Sequence, residues 1–591
     1  MKLRQRYVIA GGVAVSVLIT LTIVLTISSS DRLYNTVWEV QGAIRNQFQM
    51  RPKPQPNIFV GQLTVEEFRQ NPLFLTGNPL IDDYGKNDPL GPGENGVPVV
   101  LPEITKHNAS LALEKYHVNV LASDAIALNR KVPDSRFPGC MGLAYPHDLP
   151  TVSIIIPFYD EWPSVLLRTL YSIVNRTPRH LLWEIILVND GSTLESLKGD
   201  LDTYIATKFP IGLIKIIHLE ERIGLIRARM KGVRMATGEV LVIFDSHMEV
   251  NVQWLEPLLV QVRQNPKSIA LGILDYIHAE TFHYDWHKGY ITRYGFDWRL
   301  VFFETFFTPD LYGPKDDLPK RGVVMVGAAF AVDRKFFLEL GGYDEGMDVW
   351  GGENLELSWR VWLCGGSLKH IPCSKLGHIA RAQPYSFPEG RRQIEVHNYK
   401  RAVEVWMEAN HKSFIYDFFP EMKTADPGDL EERKEIKKKL RCKSFSWFID
   451  NIWPELTVFD KDARAWGAVR NTATGLCLDN HSYLFTYEEA LYADPCHGKL
   501  NTQGFTLTNQ GLLRSSLQCV VIKQNYPGAP ARLESCVTGP ADKWSYPKVN
   551  EHLRHERTGL CLDLCDGLPC VKTCTTVVTQ MWTFETPVLT V

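Results

Sequence analysis

EVLVIFDSH (239–247) is a run of apolar, mostly β-branched residues that ends on an aspartate, a serine and a histidine. A short continuous apolar run of this kind predicts a strand buried on both faces, the mark of a parallel sheet covered by helices. Similar runs stand upstream at VSIIIPF (152–158), EIILVND (184–190) and LIKIIHL (213–219), separated by longer amphipathic stretches such as 161–176 and 223–236. Strands alternating with helices predict βαβ units, and hence an α/β fold. In open α/β sheets ligands sit beyond the carboxyl ends of the strands, which singles out Asp160, Glu161, Asn189, Asp190 and Asp245 to His247.

On an extended backbone residues i and i+2 point to one side, so Asp245 and His247 are able to reach one cation. Such a corner, completed by diphosphate oxygens and water, suits an octahedral divalent ion, and its nitrogen ligand favours Mn²⁺ over Mg²⁺. A second dense region is Trp350-Gly351-Gly352-Glu353-Asn354, an aromatic wall, two glycines and two polar groups ahead of the amphipathic stretch ELSWRVWL. Glycines there permit positive φ or a close ligand approach. IPCSKLGHIARAQPY (371–385) then supplies His378, Arg381 and Tyr385.

Around this centre the chain is long and near neutral: 591 residues, 64 Lys+Arg against 67 Asp+Glu, net charge −3. A strongly basic surface for phosphate backbones is excluded, and nucleic acid with it. With 45% hydrophobic and 11% aromatic residues, disordered and fibrous classes are excluded too. The uncharged stretch Tyr7–Ile27 spans a hydrocarbon core of roughly 30 Å as a helix, and Lys2, Arg4 and Arg6 precede it. The positive-inside bias then predicts a single-pass type II anchor: cytoplasmic tail 1–6, transmembrane helix 7–27, and a proline-punctuated lumenal stem 28–110 carrying Pro52, Pro54 and Pro56. All twelve cysteines lie beyond it, none before Cys140, as a disulfide-permissive lumen allows. Asn108, Asn175 and Asn480 head glycosylation sequons. EERKEIKKKL (431–440) reads as a solvated helix face.

The C-terminal part repeats. TGLCLD occurs at 474–479 and 558–563, and Cys519 lies 42 residues from both Cys477 and Cys561. Each unit closes on an aromatic in a related setting: Gln503-Gly-Phe505, Asp542-Lys-Trp544 and Gln580-Met-Trp582. Three units are too few for a propeller and fit an all-β trefoil.

These motifs, with LASDAIALNRKVPDSRFPGC (121–140), RIGLIRARMKG (222–232), FDWRLVF (296–302) and MDVWGGENLELSWRVWLCGG (347–366), resemble the polypeptide N-acetylgalactosaminyltransferase family. The resemblance implies a GT-A nucleotide-sugar-binding (Rossmann-like) domain at 111–450, a linker at 451–465 and a ricin-type β-trefoil lectin at 466–591. It implies Golgi membrane residence and retaining transfer of GalNAc from UDP-GalNAc to Ser/Thr of polypeptides or glycopeptides. Mn²⁺ would be held by Asp245, His247 and His378. Asp190, Arg222, Asp245, Ser246, Gly327, Arg381 and Tyr385 would contact donor nucleotide and sugar, while Trp350, Glu353 and Asn354 form the catalytic centre. In the lectin, Asp479, His497, Asn501 and Asp563 would bind GalNAc-type glycans, and the second repeat, Cys519-Val-Val521, would be silent. The disulfides implied are Cys140–Cys373, Cys364–Cys442, Cys477–Cys496, Cys519–Cys536 and Cys561–Cys574, with the place of Cys565 and Cys570 in the third repeat open.

The chain departs from the family pattern at Pro157, Asn189, Ile223, Ala328 and Ala380, and the loop after His378 is one residue short. A methyl at Ala328 is expected to crowd the sugar. Two other readings therefore stand beside the transferase: a weak or silent glycan-binding relative, and the same fold with another UDP-sugar.

Overall fold

The four apolar runs form the strands they predict: three are buried almost throughout, and the third, at the sheet edge, buries only Ile214 within its strand. The structure is a computed structural model and describes residues 90–587 except 287–290, 308, 314, 383–385, 389, 482–487, 537–541 and 548–549. The expected anchor 7–27 lies outside the described residues, and so does the stem up to residue 89. Among the described residues no helix is long and apolar enough to cross a membrane.

β1 (Val152–Phe158), β2 (Leu182–Asn189), β3 (Ile214–His218) and β4 (Val240–Phe244) run parallel in the order β3-β2-β1-β4. β5 (Met248–Val250), β6 (Ser268–His278), β7 (Ala329–Asp333) and β8 (Ser367–Ala380) complete the functional half. β7 enters antiparallel between β4 and β6, and β8 pairs parallel with β6. Successive side chains alternate between two apolar layers. Ile155, Ile186 and Ile243 join one layer with the helices α2 (Leu225–Met235), α3 (Glu353–Leu363) and α4 (Arg391–Trp406). Ile154, Ile185, Leu187 and Phe244 join the other with α1 (Pro163–Arg176).

A single carboxylate ties the amino ends of the strands. Glu184 on β2 accepts Ser153 Oγ of β1 at 2.7 Å, Thr237 N before β4 at 2.8 Å and Lys215 Nζ of β3 at 2.6 Å. Burial opposes its ionisation, but Lys215, Ser153 and Thr237 outweigh burial and draw its carboxyl down to about 2.

Two expected boundaries move. The folded body begins before residue 110: Val99 N donates to Thr281 O, and Gly93 O accepts Arg130 Nη1. The linker 451–465 is embedded, with Ile452, Trp453, Leu456, Val458 and Phe459 buried in the catalytic core layer. These apolar residues make a free tether costly, since each gains from burial.

The lectin follows as three repeats around Leu478, Val520, Leu562, Trp544 and Trp582. The 42-residue period has a physical basis in its closing aromatics: Trp544 Nε1 donates to Val520 O and Trp582 Nε1 to Leu562 O at 2.9 and 3.0 Å. The five implied disulfides are all present. Cys565 pairs with Cys570 across the tip of the third-repeat hairpin, leaving no free cysteine among the described residues. The sequon at Asn480 is closed by the fold, since its amide nitrogen donates to Ser515 Oγ and the residue is 3% exposed.

Glu184→Gln is expected to lower stability by about 1–3 kcal/mol at neutral pH, read by denaturant unfolding. The native carboxyl titrates below the unfolded one, so its contribution is present above roughly pH 5 and is lost as pH falls through the folded value. The gap between wild type and variant should therefore narrow on acidification; a gap constant with pH rejects the role given to Glu184.

Candidate active site

Asp245 to His247 turn the corner between β4 and β5, and β5 folds back antiparallel on β8 so that Met248 pairs with His378. That pairing delivers His378 to the corner, and Ile379 N donates to His247 O at 3.2 Å. One ligand atom each from Asp245, His247 and His378 lies within 4.8 Å of the others. His378 Nε2 is buried, has no hydrogen-bond partner and stands 3.6 Å from Asp245 Oδ2. An orphaned imidazole nitrogen facing a carboxylate and a second imidazole is a donor set that fits a divalent cation such as Mn²⁺.

Glu161 supports this corner from behind. It is 2% exposed, and its Oε2 accepts His247 Nδ1–H at 2.9 Å, Ser246 Oγ at 2.8 Å and Arg381 Nη2 at 2.6 Å. The bond to Nδ1 leaves His247 Nε2 as the free ligand nitrogen, the arrangement that orients metal-binding histidines. Burial disfavours the Glu161 anion, yet Arg381 and His247 hold its carboxyl well below the usual range. Burial and the Arg381 charge hold the His247 imidazole below its ordinary value, so it stays neutral, as a ligand must.

On the other side Arg229 of α2 is buried between two carboxylates, 3.1 Å from Asp245 Oδ1 and 3.5 Å from Glu353 Oε1, and donates to Gly327 O. Asp245 is disfavoured as an anion by burial, but His378 and Arg229 keep it ionised. Glu353 opens α3, with its Oε2 accepting Gly351 N at 2.9 Å, and Asn354 Nδ2 donates to Met325 O. Gly351 and Gly352 have φ of 102° and 85°, which a side chain would strain. Asn398 of α4 clamps this loop, donating to the carbonyls of Asp348 and Gly351 and accepting Asp348 N. Arg391 lies 5.1 Å over the Trp350 ring.

At the far end Asp190 accepts Ile223 N at 2.7 Å and Gly224 N at 2.9 Å, and Arg222 lies 4.5 Å over the Tyr159 ring. Burial raises the Asp190 carboxyl despite those amides.

One cleft of about 370 Å³ gathers these groups. Asp190, Arg222, Asp245, Ser246, His247 and Gly327 line it, together with Trp350, Glu353, Asn354, His378 and Arg381. Tyr385 lies outside the described residues. Ser246 borders the cleft but spends its hydroxyl on Glu161. Two departures are absorbed: position 223 contributes a backbone N–H whatever its side chain, and Asn189 is satisfied by Leu197 O, His218 and Ser192 N. Pro157 and Ala328 line the cleft itself, and Ala328, 4% exposed, also joins an apolar layer. Arg229, Asn398, Tyr159 and the role of Glu161 escape sequence reasoning. The only available signal was Glu161's place after β1.

In the lectin, Asp479 Oδ2 accepts Gln503 Nε2 at 2.9 Å and His497 Nε2 stands 3.9 Å away. The Asn501 side chain lies outside the described residues. Asp563 repeats the bond with Gln580 Nε2 at 3.0 Å, but Lys572 Nζ stands 3.7 Å from it. In the second repeat Val521 replaces the aspartate, and Asp542 is taken by Ile522 N and His555.

Residues 153–340 match the family described as glycosyl transferase family 2, residues 314–383 the N-terminal domain of galactosyltransferase, and residues 465–582 the ricin-type beta-trefoil lectin domain. Polypeptide N-acetylgalactosaminyltransferase 13 of Rattus norvegicus is 37% identical over 502 residues, covering 83% of this chain and 88% of that protein. Polypeptide N-acetylgalactosaminyltransferase 10 of Homo sapiens is 38% identical over 516 residues, 84% of each. A crystal structure of GalNAc-T7 with UDP, GalNAc and Mn2+ superposes with a TM-score of 0.59 at 33% identity, over 84% of this chain and 93% of that one. The architecture is thus a GT-A glycosyltransferase domain followed by a ricin-type trefoil. With such identity sustained over most of both chains, this chain belongs to the polypeptide N-acetylgalactosaminyltransferase family.

Proposed function

We propose that this chain transfers GalNAc from UDP-GalNAc to Ser/Thr hydroxyls of polypeptides with retention of configuration, using Mn²⁺, in the Golgi lumen behind the anchor 7–27. The observation that carries the reading is the Asp245–His247–His378 corner, set in one cleft between Asp190 and Arg222 and the Trp350–Asn354 loop. The names of the relatives support the reaction, and the GalNAc-T7 structure supports donor and cation.

When bound, a divalent cation neutralises charge developing on a leaving diphosphate. The chain's own residues do the rest. Asp190, its carboxylate oriented by two backbone amides, and Arg222 take the uridine end. Arg381, fixed by Glu161, places positive charge beside the corner. Glu353 and Asn354, held by Gly351 N and Met325 O, present polar groups to the sugar hydroxyls. The acceptor hydroxyl gives its proton toward the departing phosphate oxygen on the same face. No cleft carboxylate then has to serve as base, in keeping with the three donors on Glu161. In the lectin the first repeat takes GalNAc-type glycans, because its aspartate is not neighboured by a lysine as Asp563 is.

Asp245→Ala should abolish Mn²⁺-dependent transfer while the protein stays folded. Glu161→Gln should weaken Mn²⁺ binding by about 10–100-fold in calorimetric titration; unchanged cation affinity in both variants removes the metal assignment. A panel of UDP-sugars against naked and pre-glycosylated peptides should show turnover with UDP-GalNAc, whereas glycan binding without transfer from any donor sinks the enzyme reading. Asp479→Asn should abolish retention on immobilised GalNAc and Asp563→Asn should leave it; the reverse pattern moves the sugar site to the third repeat.

A further inference from the structure

Residues 431–443 carry seven Lys and Arg side chains against the three carboxylates of Glu431, Glu432 and Glu435, in a chain whose net charge is −3. They form α6 (Glu431–Lys439, after α5, Ala409–Phe418) and the turn that follows it. Three of the seven are engaged. Arg433 is buried against Gly341 O, Lys434 pairs with Glu431 at 2.8 Å, and Lys437 donates to Val405 O at 2.7 Å. Lys438, Lys439, Arg441 and Lys443 are exposed and make no ion pair among the described residues.

Cations in a last helical turn complement the helix dipole at about 0.3–1 kcal/mol each. That accounts for Lys438 and Lys439, not for Arg441 and Lys443 beyond the helix end. The turn holding these two is rigid. Cys442 is bonded to Cys364, Lys443 N donates to Leu363 O at 2.8 Å, and Lys443 Nζ lies 3.6 Å from the centroid of the half-buried Trp447 ring. Four exposed cations without ion pairs are thus carried close together on a backbone tied down beside an aromatic ring, so an anion meets them without reordering the main chain. The patch is one helix from the cleft: α6 packs on α4, and Asn398 of α4 clamps the Trp350 loop.

We propose that this face docks an acidic polypeptide segment, giving the transferase a preference for acceptors with an acidic run distant from the hydroxyl that is modified. The acceptor part of this inference rests on the function proposed above; the docking part does not. Charge complementarity selects the partner, and a polypeptide is the class that the neighbouring cleft is proposed to act on.

The test uses the full chain in detergent and a fluorescent oligo-aspartate peptide lacking Ser and Thr, read by anisotropy without any donor sugar. Binding should weaken at least about tenfold between roughly 50 and 500 mM NaCl. The combined K438E, K439E and R441E substitutions should remove it while the protein stays folded, with a melting temperature lowered only by the lost helix-dipole complementarity. In transfer assays an acidic-tailed acceptor should show KM about fivefold below that of its neutral-tailed twin. The triple variant should equalise the two with kcat on the neutral peptide unchanged. Wild-type binding that survives the triple variant overturns the proposal. So does a variant that loses heparin or anionic vesicles while oligo-aspartate binding persists. Should the chain transfer no sugar at all, anisotropy still decides whether the face docks acidic peptide.

Discussion

The antiparallel pairing of Met248–Val250 with Leu376–His378 is the constraint on which the rest of the site depends. It brings a strand-end Asp-x-His and a histidine far along the chain to one corner, and a slip of one residue would turn every side chain of the short strand to the wrong face. The pairing is anchored by charge. Glu249, the middle residue of the short strand and the partner of Gly377, is buried with Arg130, which grips its carboxylate at 2.8 and 3.1 Å. Lys375 on the opposite strand is buried against Asp275 at 3.1 Å. Buried ion pairs are a weak source of net stability but are costly to break singly, so they penalise any register that separates the partners. The register that keeps them paired is the one that assembles the corner.

Electrostatic order continues inward from this frame. The corner faces Arg229 on one side and Arg381 with Glu161 on the other, so the Asp245 carboxylate and the Nδ1 edge of His247 are held by charged neighbours, which leaves the ligand nitrogens free. Such an arrangement keeps Asp245 ionised and His247 neutral before any ligand arrives, which is what preorganisation requires. Arg229 also joins Asp245 to Glu353, linking the corner to the loop that bears Trp350.

Much of this was legible in the sequence, and the limits have physical causes. The parallel strands were legible because the apolar runs are short and rich in β-branched residues and are separated by longer amphipathic stretches, which tells them from buried helices where periodicity cannot. The 42-residue period marked the trefoil because each repeat must place the same cysteine and aromatic in the same core. Asp245 and His247 were visible as a corner because they are two residues apart on one strand end. Arg229 and Asn398 were not, because each acts through contacts with residues 16 to about 120 positions away that only the folded chain creates. Asn480 failed as a sequon for a similar reason: a three-residue motif says nothing about Ser515, which takes its amide.

The linker shows where composition misleads most. Residues 451–465 join two domains with different periodicities, and a boundary between periodicities invites a tether. Yet Trp453 Nε1 donates to Phe296 O and Trp298 Nε1 to Thr457 O, while Arg293 is buried against Glu455. From the lectin side Arg514 donates to Glu455 O, Ser516 O accepts Thr457 N, and Leu500 N donates to Asp417 of α5. Swinging the trefoil about this segment would expose several large apolar side chains, at roughly 1.5–3 kcal/mol each, and strand the buried Arg293. The two domains are therefore one body in this conformation. The Leu500–Asp417 contact lies within the segment between His497 and Gln503, so the first-repeat segment that carries His497 is itself bonded to the catalytic domain. Position and orientation of the first repeat relative to the cleft are set by packing, not by tether length.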